Sequence, residues 1–171
     1  MNNPPNWIKL LLSWMLVMIF ASGCMPVKLV SDYDEQMDQG VTNIQKQVET
    51  ILTRIEKSAA NPAASYVASD YSKIREELDI LLTRAQATDH NELTIKQLYT
   101  LGYALLGNPP LAPDELKLGP PLPELSLERR NQRKDPLSAA DLRDLRDLLE
   151  LDFRAVLKLE LAKKRGAGNT P

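Results

Sequence analysis

Cysteine and histidine are almost absent from this sequence. Its 171 residues include one cysteine, Cys24, and one histidine, His90. A lone cysteine allows no disulfide within the chain, and a lone histidine is far more often a surface residue than a metal ligand or a catalytic base. The sequence also has no nucleophile elbow and no phosphate-binding glycine loop. It therefore predicts a protein that is not an enzyme and that uses no cofactor and no metal ion.

Aromatic residues and excess charge are scarce as well. Aromatics make up 5% of the chain, and 21 basic residues nearly balance 23 acidic ones. Both tryptophans, Trp7 and Trp14, lie near the amino terminus, and Phe153 is the only phenylalanine after residue 23. A core of Leu, Ile, Val and Ala favours helices packed on helices. The balanced charge argues against general nucleic-acid binding.

One apolar run stands out near the amino terminus. Residues 10–20 are apolar except for Ser13, they follow Lys9, and the small residues Ala21-Ser22-Gly23 come next. Basic, apolar and small segments in this order are typical of a signal peptide. The 14 residues from 10 to 23 fall short of the roughly 20 that a membrane-spanning helix needs. The pattern therefore favours a cleaved signal peptide over residues 1–23 rather than an uncleaved anchor.

The end of this segment, Ala21-Ser22-Gly23-Cys24, resembles the lipobox of bacterial lipoproteins. It departs from the family's pattern at Ala21, where leucine is preferred. The resemblance implies cleavage between Gly23 and Cys24, a diacylglyceryl group on the Cys24 sulfur, and acylation of the freed amine by palmitate or a similar chain. In enterobacterial lipoproteins an aspartate after the cysteine favours the inner membrane, whereas this chain has Met25. The resemblance thus implies an outer-membrane anchor facing the periplasm, with the inner membrane as the weaker alternative.

After a predicted tether over residues 24–30, two helical seams follow each other within residues 31–106. Ser31 is the predicted N-cap of the first helix, and the acidic residues after it lack the central glycine of a calcium loop. Apolar residues then recur at steps of four and three, which is typical of a coiled-coil seam. The first seam is Met37, Val41, Ile44, Val48, Ile51 and Ile55, and the second is Val67, Tyr71, Ile74, Leu78, Leu81 and Ala85. We expect an antiparallel hairpin, joined by a turn at Asn61-Pro62 and followed by a third helix.

Residues 107–137 contain seven of the twelve prolines. Proline keeps such a connection extended, and its length is typical of either a wrapping segment or a flexible linker. A basic cluster near its end favours a solvated charge run over a site for phospholipid head groups. The cluster consists of Arg129, Arg130, Arg133 and Lys134.

Residues 138–165 are the predicted last helix, and residues 166–171 are its tail. Ser138 is the predicted N-cap, with Asp141 three residues later. The apolar face of this helix is a candidate surface for a protein partner, and it would be equally well satisfied as the fourth helix of a bundle. The candidate surface consists of Leu142, Leu145, Leu149, Phe153 and Val156.

These observations together predict an all-α fold, a small bundle built on a helical hairpin, attached to a membrane through Cys24. The stretch 28–36, followed by a long heptad helix, also resembles a group of uncharacterised helical envelope lipoproteins, which brings no known activity. We expect a structural or protein-binding accessory factor of the cell envelope. The alternative is an immunity-type lipoprotein that sequesters a toxin, whose gene should then lie beside the toxin gene.

Overall fold

The computed structural model describes residues 31–58, 64–107, 126–133 and 137–167, together with Trp7. Within these ranges the chain forms five α-helices and no β-strand. The all-α class predicted from the sequence is therefore confirmed. Apart from Trp7, the predicted signal peptide, its cleavage site at Gly23 and Cys24, and the tether lie outside the described residues. The helices are α1 (Glu35–Lys57), α2 (Ala68–Gln86), α3 (Glu92–Leu106), α4 (Leu127–Gln132) and α5 (Ala139–Ala167).

A single hydrophobic core collects the inner faces of all five helices. All six residues of the first predicted seam are buried, as are five of the six in the second. Their spacing of four and three keeps one stripe of each helix turned inward, which is why the sequence pattern located the core. Leu127 of α4 and Phe153 of α5 join the same core. The structure is thus a small helical bundle.

Ion pairs between helices fix their relative directions. Arg54 near the end of α1 lies 2.6 Å from Asp70 near the start of α2. Arg84 near the end of α2 lies 2.9 Å from Asp34, just before α1. The two helices therefore run in opposite directions. The Lys164 ammonium, near the end of α5, lies 5.0 Å from the ring centre of Tyr33, so α5 also runs opposite to α1.

Helix α1 begins later than the sequence predicts. Its N-cap is Asp34, whose side chain accepts a hydrogen bond from the Gln36 amide at 2.9 Å. Ser31 does not cap a helix, because its side chain is buried and donates instead to Asn91. The Asp34 carboxylate accepts a hydrogen bond from an amide in the first turn of α1 and also pairs with Arg84. Asp34 is therefore the N-cap in place of Ser31.

The predicted proline-rich connection contains a helix that the sequence analysis did not anticipate. Helix α4 is held by Leu127, which is fully buried, and by Asn131. Asn131 accepts a hydrogen bond from the Ser65 hydroxyl at 2.5 Å and donates to the Tyr71 hydroxyl at 2.7 Å. Burial raises the pKa of Tyr71, so its hydroxyl stays protonated. This part of residues 107–137 is therefore docked on the bundle rather than a free linker.

Candidate functional site

The predicted partner surface on α5 lies in the core. Its five side chains are at most 8% exposed, and they pack with the inner faces of the other helices. The alternative noted from the sequence, in which this helix folds back as a bundle member, is the arrangement found. Burying the leucine-rich face removes a large apolar area from water, which explains why the helix docks. The structure therefore corrects the prediction of an exposed partner surface on α5, because all five of its residues are buried: Leu142, Leu145, Leu149, Phe153 and Val156.

A buried polar cluster lies at the end of the bundle where Ser31 enters it. We call this the Ser31 end, and it comprises residues 31–34, the turn at 87–91 and the last turns of α5. Five polar residues meet there, and none is more than 7% exposed. We call them the polar cluster: Ser31, Asn91, Thr94, Glu160 and Lys163.

Lys163 is the centre of the polar cluster. Its ammonium donates to the Asn91 side-chain oxygen at 2.7 Å, to the Thr94 hydroxyl oxygen at 2.7 Å and to Glu160 Oε1 at 2.6 Å. A lysine has three N–H donors, and all three are used. Burying a charge without such partners would cost several kcal/mol, so the three acceptors explain how Lys163 is tolerated inside.

Glu160 balances the charge of Lys163. Its Oε1 atom also accepts a hydrogen bond from the Thr94 hydroxyl at 3.0 Å. Its Oε2 atom is buried and has no hydrogen-bond partner among the residues that the structure describes. The negative charge of Glu160 therefore neutralises the positive charge of Lys163, and only Oε1 of the carboxylate takes part in hydrogen bonds within the polar cluster.

Ser31 connects the start of the domain to this pair. Its hydroxyl donates to the Asn91 side-chain oxygen at 2.8 Å, and its amide donates to the His90 carbonyl at 3.0 Å. Asn91 in turn donates to the Ala85 carbonyl at 3.1 Å. His90 adopts a positive φ of 59°, a conformation that histidine tolerates better than most residues. The entry of the chain is thus tied to the α2–α3 turn and, through Asn91, to the end of α5.

The polar cluster is suited to holding helices together rather than to chemistry on a substrate. Every N–H of Lys163 is engaged, and both charged side chains are closed to solvent, with exposed fractions of 2% and 1%. A general base or nucleophile must reach a substrate atom. What the arrangement does is join Ser31, α3 and α5 at one end of the bundle.

The polar cluster was not predicted from the sequence, although a signal for it is present. The buried stripe of α5 runs from Phe153 to Val156 and continues at steps of four and three to Glu160 and Lys163. A charged pair that continues an apolar seam is a candidate for burial.

The other residues considered from the sequence have structural roles. His90 is exposed in the α2–α3 turn. Tyr99 is buried and its hydroxyl accepts a hydrogen bond from Gln86 at 3.2 Å, so it packs in the core. Across the described ranges no group of three or more His, Cys, Asp or Glu residues is arranged to hold a metal ion.

Helix α5 also carries large apolar residues on its outer surface. Leu148 is 48% exposed, Leu151 is 65% exposed and Leu161 is 44% exposed. All three lie outside the buried stripe, but at about 100° per residue Leu148 and Leu151 are about 60° apart around the helix, whereas Leu161 is about 140° from Leu148. We call these three the outer leucines.

None of the helices in the described ranges has the length and apolar character needed to cross a membrane. Comparison of the chain with protein-family models, with curated proteins and with solved structures found no match.

Proposed function

We propose that the protein is a lipid-anchored component of the bacterial cell envelope that works by binding another protein. It is held in the outer membrane through lipid on Cys24 and faces the periplasm. Its role is structural or accessory rather than enzymatic. The observation that carries the proposal is the sequence Ala21-Ser22-Gly23-Cys24 directly after a short apolar run.

The position of the folded domain agrees with such an anchor. Ser31 is the first described residue of the bundle and lies seven residues after Cys24. An extended chain covers at most about 3.6 Å per residue, so Ser31 would lie within about 25 Å of the lipid. Since Ser31 is fixed by the polar cluster, this end of the bundle would be held near the membrane surface.

The outer leucines support the binding part of the proposal. Leu148 and Leu151 are neighbouring large apolar side chains on the surface of α5, and exposed apolar patches of this kind mark protein interaction sites. The face that α5 uses inside the bundle is separate, so a partner can bind the outer leucines without unfolding the domain.

The anchor is tested by Cys24→Ser, with Ser22→Ala as the matched control that keeps the lipobox residues small. We expect Cys24→Ser to lose palmitate labelling and to remain unprocessed, while Ser22→Ala is labelled and processed as the natural protein is. A Cys24→Ser variant that is still labelled and fractionates with membranes would contradict the proposal.

The choice of membrane is tested by Met25→Asp. If the lipoprotein resemblance holds, an aspartate after the lipidated cysteine should move the protein from the outer to the inner membrane fraction. Met25→Ser serves as the control and should leave the protein in the outer membrane. Equal distribution of the two variants would overturn the outer-membrane assignment.

A further inference from the structure

Helix α5 has an outer surface whose charge is divided along its length. Residues 139–152 carry five acidic side chains against two arginines, a net charge of −3. Apart from the buried pair of Glu160 and Lys163, residues 153–167 carry four basic side chains and no acidic one, a net charge of +4. The helix dipole favours such a bias only in the first and last turns. It does not account for Asp147 and Glu150 before the midpoint or for Arg154 and Lys158 after it.

The outer leucines lie along this divided surface. Leu148 and Leu151 belong to the acidic half, and Leu161 belongs to the basic half. Leu148 and Leu151 form one stripe with Ala155 and Ala162, at steps of three, four and seven, whereas Leu161 lies further round the helix. Apolar residues in such a stripe, flanked by charges, are typical of helices that pair with another helix.

We propose that this surface pairs with the same surface of a second copy of the chain, with the two α5 helices antiparallel. This inference rests on the proposed protein-binding function and names its partner. A twofold axis near Arg154 would set the acidic half of each copy against the basic half of the other. It would also bring Leu148 near Ala162 of the partner copy and Asp144 near the partner copy's Arg165. A parallel pair would instead set like charges together, which is unfavourable.

The apolar part of the interface is tested with Leu148→Ser/Leu151→Ser in the full-length protein, purified in detergent micelles. The matched control is Leu93→Ser, because Leu93 on α3 is similarly exposed, at 58%, and lies outside the surface. We expect sedimentation equilibrium to show a dimer for the natural protein and for the control. The double variant should associate at least tenfold more weakly, equivalent to about 1.4 kcal/mol, with an unchanged helical circular-dichroism spectrum.

The antiparallel direction is tested with two charge variants. Asp144→Lys/Asp147→Lys makes both halves of α5 basic, and Lys158→Glu/Arg165→Glu removes the net positive charge of the second half. Each variant alone should associate more weakly than the natural protein. Their mixture should form heterodimers, because one acidic half can still face one basic half. Equal self-association of both variants and the natural protein would overturn the antiparallel pairing.

The outcomes separate this inference from the proposed function. If the natural protein is monomeric, pairing with a second copy is wrong. If it is monomeric and crosslinking in intact cells captures a different protein in a manner that depends on Leu148 and Leu151, the second copy is wrong and the binding function stands. If it is monomeric and no such crosslink forms, both fail.

Discussion

Glu160 and Lys163 show how the same side chains acquire different roles with burial. On an exposed helix, oppositely charged residues three apart contribute a few tenths of a kcal/mol. Here both are closed to solvent and joined at 2.6 Å. Desolvation makes the isolated charges costly, so each residue depends on the other. The sequence alone gives no distance to α3, so it does not show which partners the pair meets.

We predict that breaking this pair destabilises the bundle strongly. Lys163→Met leaves Glu160 as a buried charge without its partner, and Glu160→Leu leaves Lys163 as a buried charge without its partner. Each should lower the free energy of unfolding by about 3–5 kcal/mol, measured by urea denaturation of the full chain. The double variant Glu160→Leu/Lys163→Met should recover most of the loss, because no uncompensated charge remains.

The matched control for this prediction is the exposed pair of Glu150 and Arg154, joined at 2.5 Å but 45% and 64% exposed. Arg154→Met should cost less than about 1 kcal/mol, since water screens the pair. A Lys163→Met variant as stable as Arg154→Met would show that the polar cluster does not hold the bundle together.

Among the helices, α1 and α2 were the most fully predicted from the sequence. Their seams keep a strict spacing of four and three, and a periodic apolar stripe is set by local residues alone. Helix α4 was not predicted, because six residues are too few to show a period. Its position depends on Asn131 reaching Ser65 and Tyr71, which lie more than 50 residues away in the chain.

The close approach of α1 and α2 at Gly40 gives a second prediction. A Cβ atom built on Gly40 would lie 2.6 Å from Leu81 Cδ2, and Leu81 is 3% exposed. Gly40→Ala gains about 1 kcal/mol of helix propensity but overpacks this contact at a cost of about 1–3 kcal/mol. We expect a net loss of up to about 2 kcal/mol in thermal or urea unfolding.

Two comparisons check the cause of this loss. Gly166→Ala, at a position with no atom within 4 Å, should be neutral or slightly stabilising. Shortening the neighbour by Leu81→Ala should reduce the cost of Gly40→Ala, as a double-mutant cycle would measure. Identical costs in both Leu81 backgrounds would rule out the contact as the cause.

The start of α5 gives a third prediction, on pH. Hydrogen bonds from the Ser138 hydroxyl at 2.6 Å and amide at 3.2 Å lower the pKa of Asp141. The folded pKa of Asp141 lies below the unfolded value near 3.9. The ionised Asp141 therefore stabilises the folded state above that pH, and this stabilisation is lost as pH falls through the folded pKa. Ser138→Ala should therefore raise the pKa of Asp141, as followed by carboxyl NMR titration.

Ser138→Ala should also destabilise α5 by about 1 kcal/mol at neutral pH, because the Ser138 hydroxyl accepts a hydrogen bond from the Asp141 amide at 3.1 Å. Ser72→Ala is the control, since the Ser72 hydroxyl donates a hydrogen bond to the Ala68 carbonyl within α2 and does not contact Asp141. It should leave the titration of Asp141 unchanged. An Asp141 titration that does not respond to Ser138→Ala would show that the cap does not set this pKa.

At the scale of the whole molecule, the proposed anchor and the proposed pairing constrain each other. An antiparallel pair places the two Ser31 ends at opposite ends of the dimer. Helix α1 is 23 residues long, about 35 Å, whereas each tether reaches about 25 Å. Two copies anchored in one membrane therefore cannot stand upright, and their long axis must be inclined towards the membrane surface. A monomer has no such constraint and can stand away from the membrane.

This geometry predicts the distances of the two ends from the membrane. Trp7 and Trp14 lie in the predicted leader, so a single tryptophan introduced by Thr88→Trp at the Ser31 end, or by Ser58→Trp at the other, reports position by energy transfer to a labelled lipid head group. In the otherwise natural processed protein, reconstituted in vesicles, energy transfer to the labelled lipid should be strong from a tryptophan at either end. In the Leu148→Ser/Leu151→Ser background, Thr88→Trp should still transfer, whereas transfer from Ser58→Trp should fall because α1 then separates it from the anchored end. A weak signal from Ser58→Trp in both backgrounds would exclude the inclined, paired arrangement, and a strong signal in both would show that pairing does not set it.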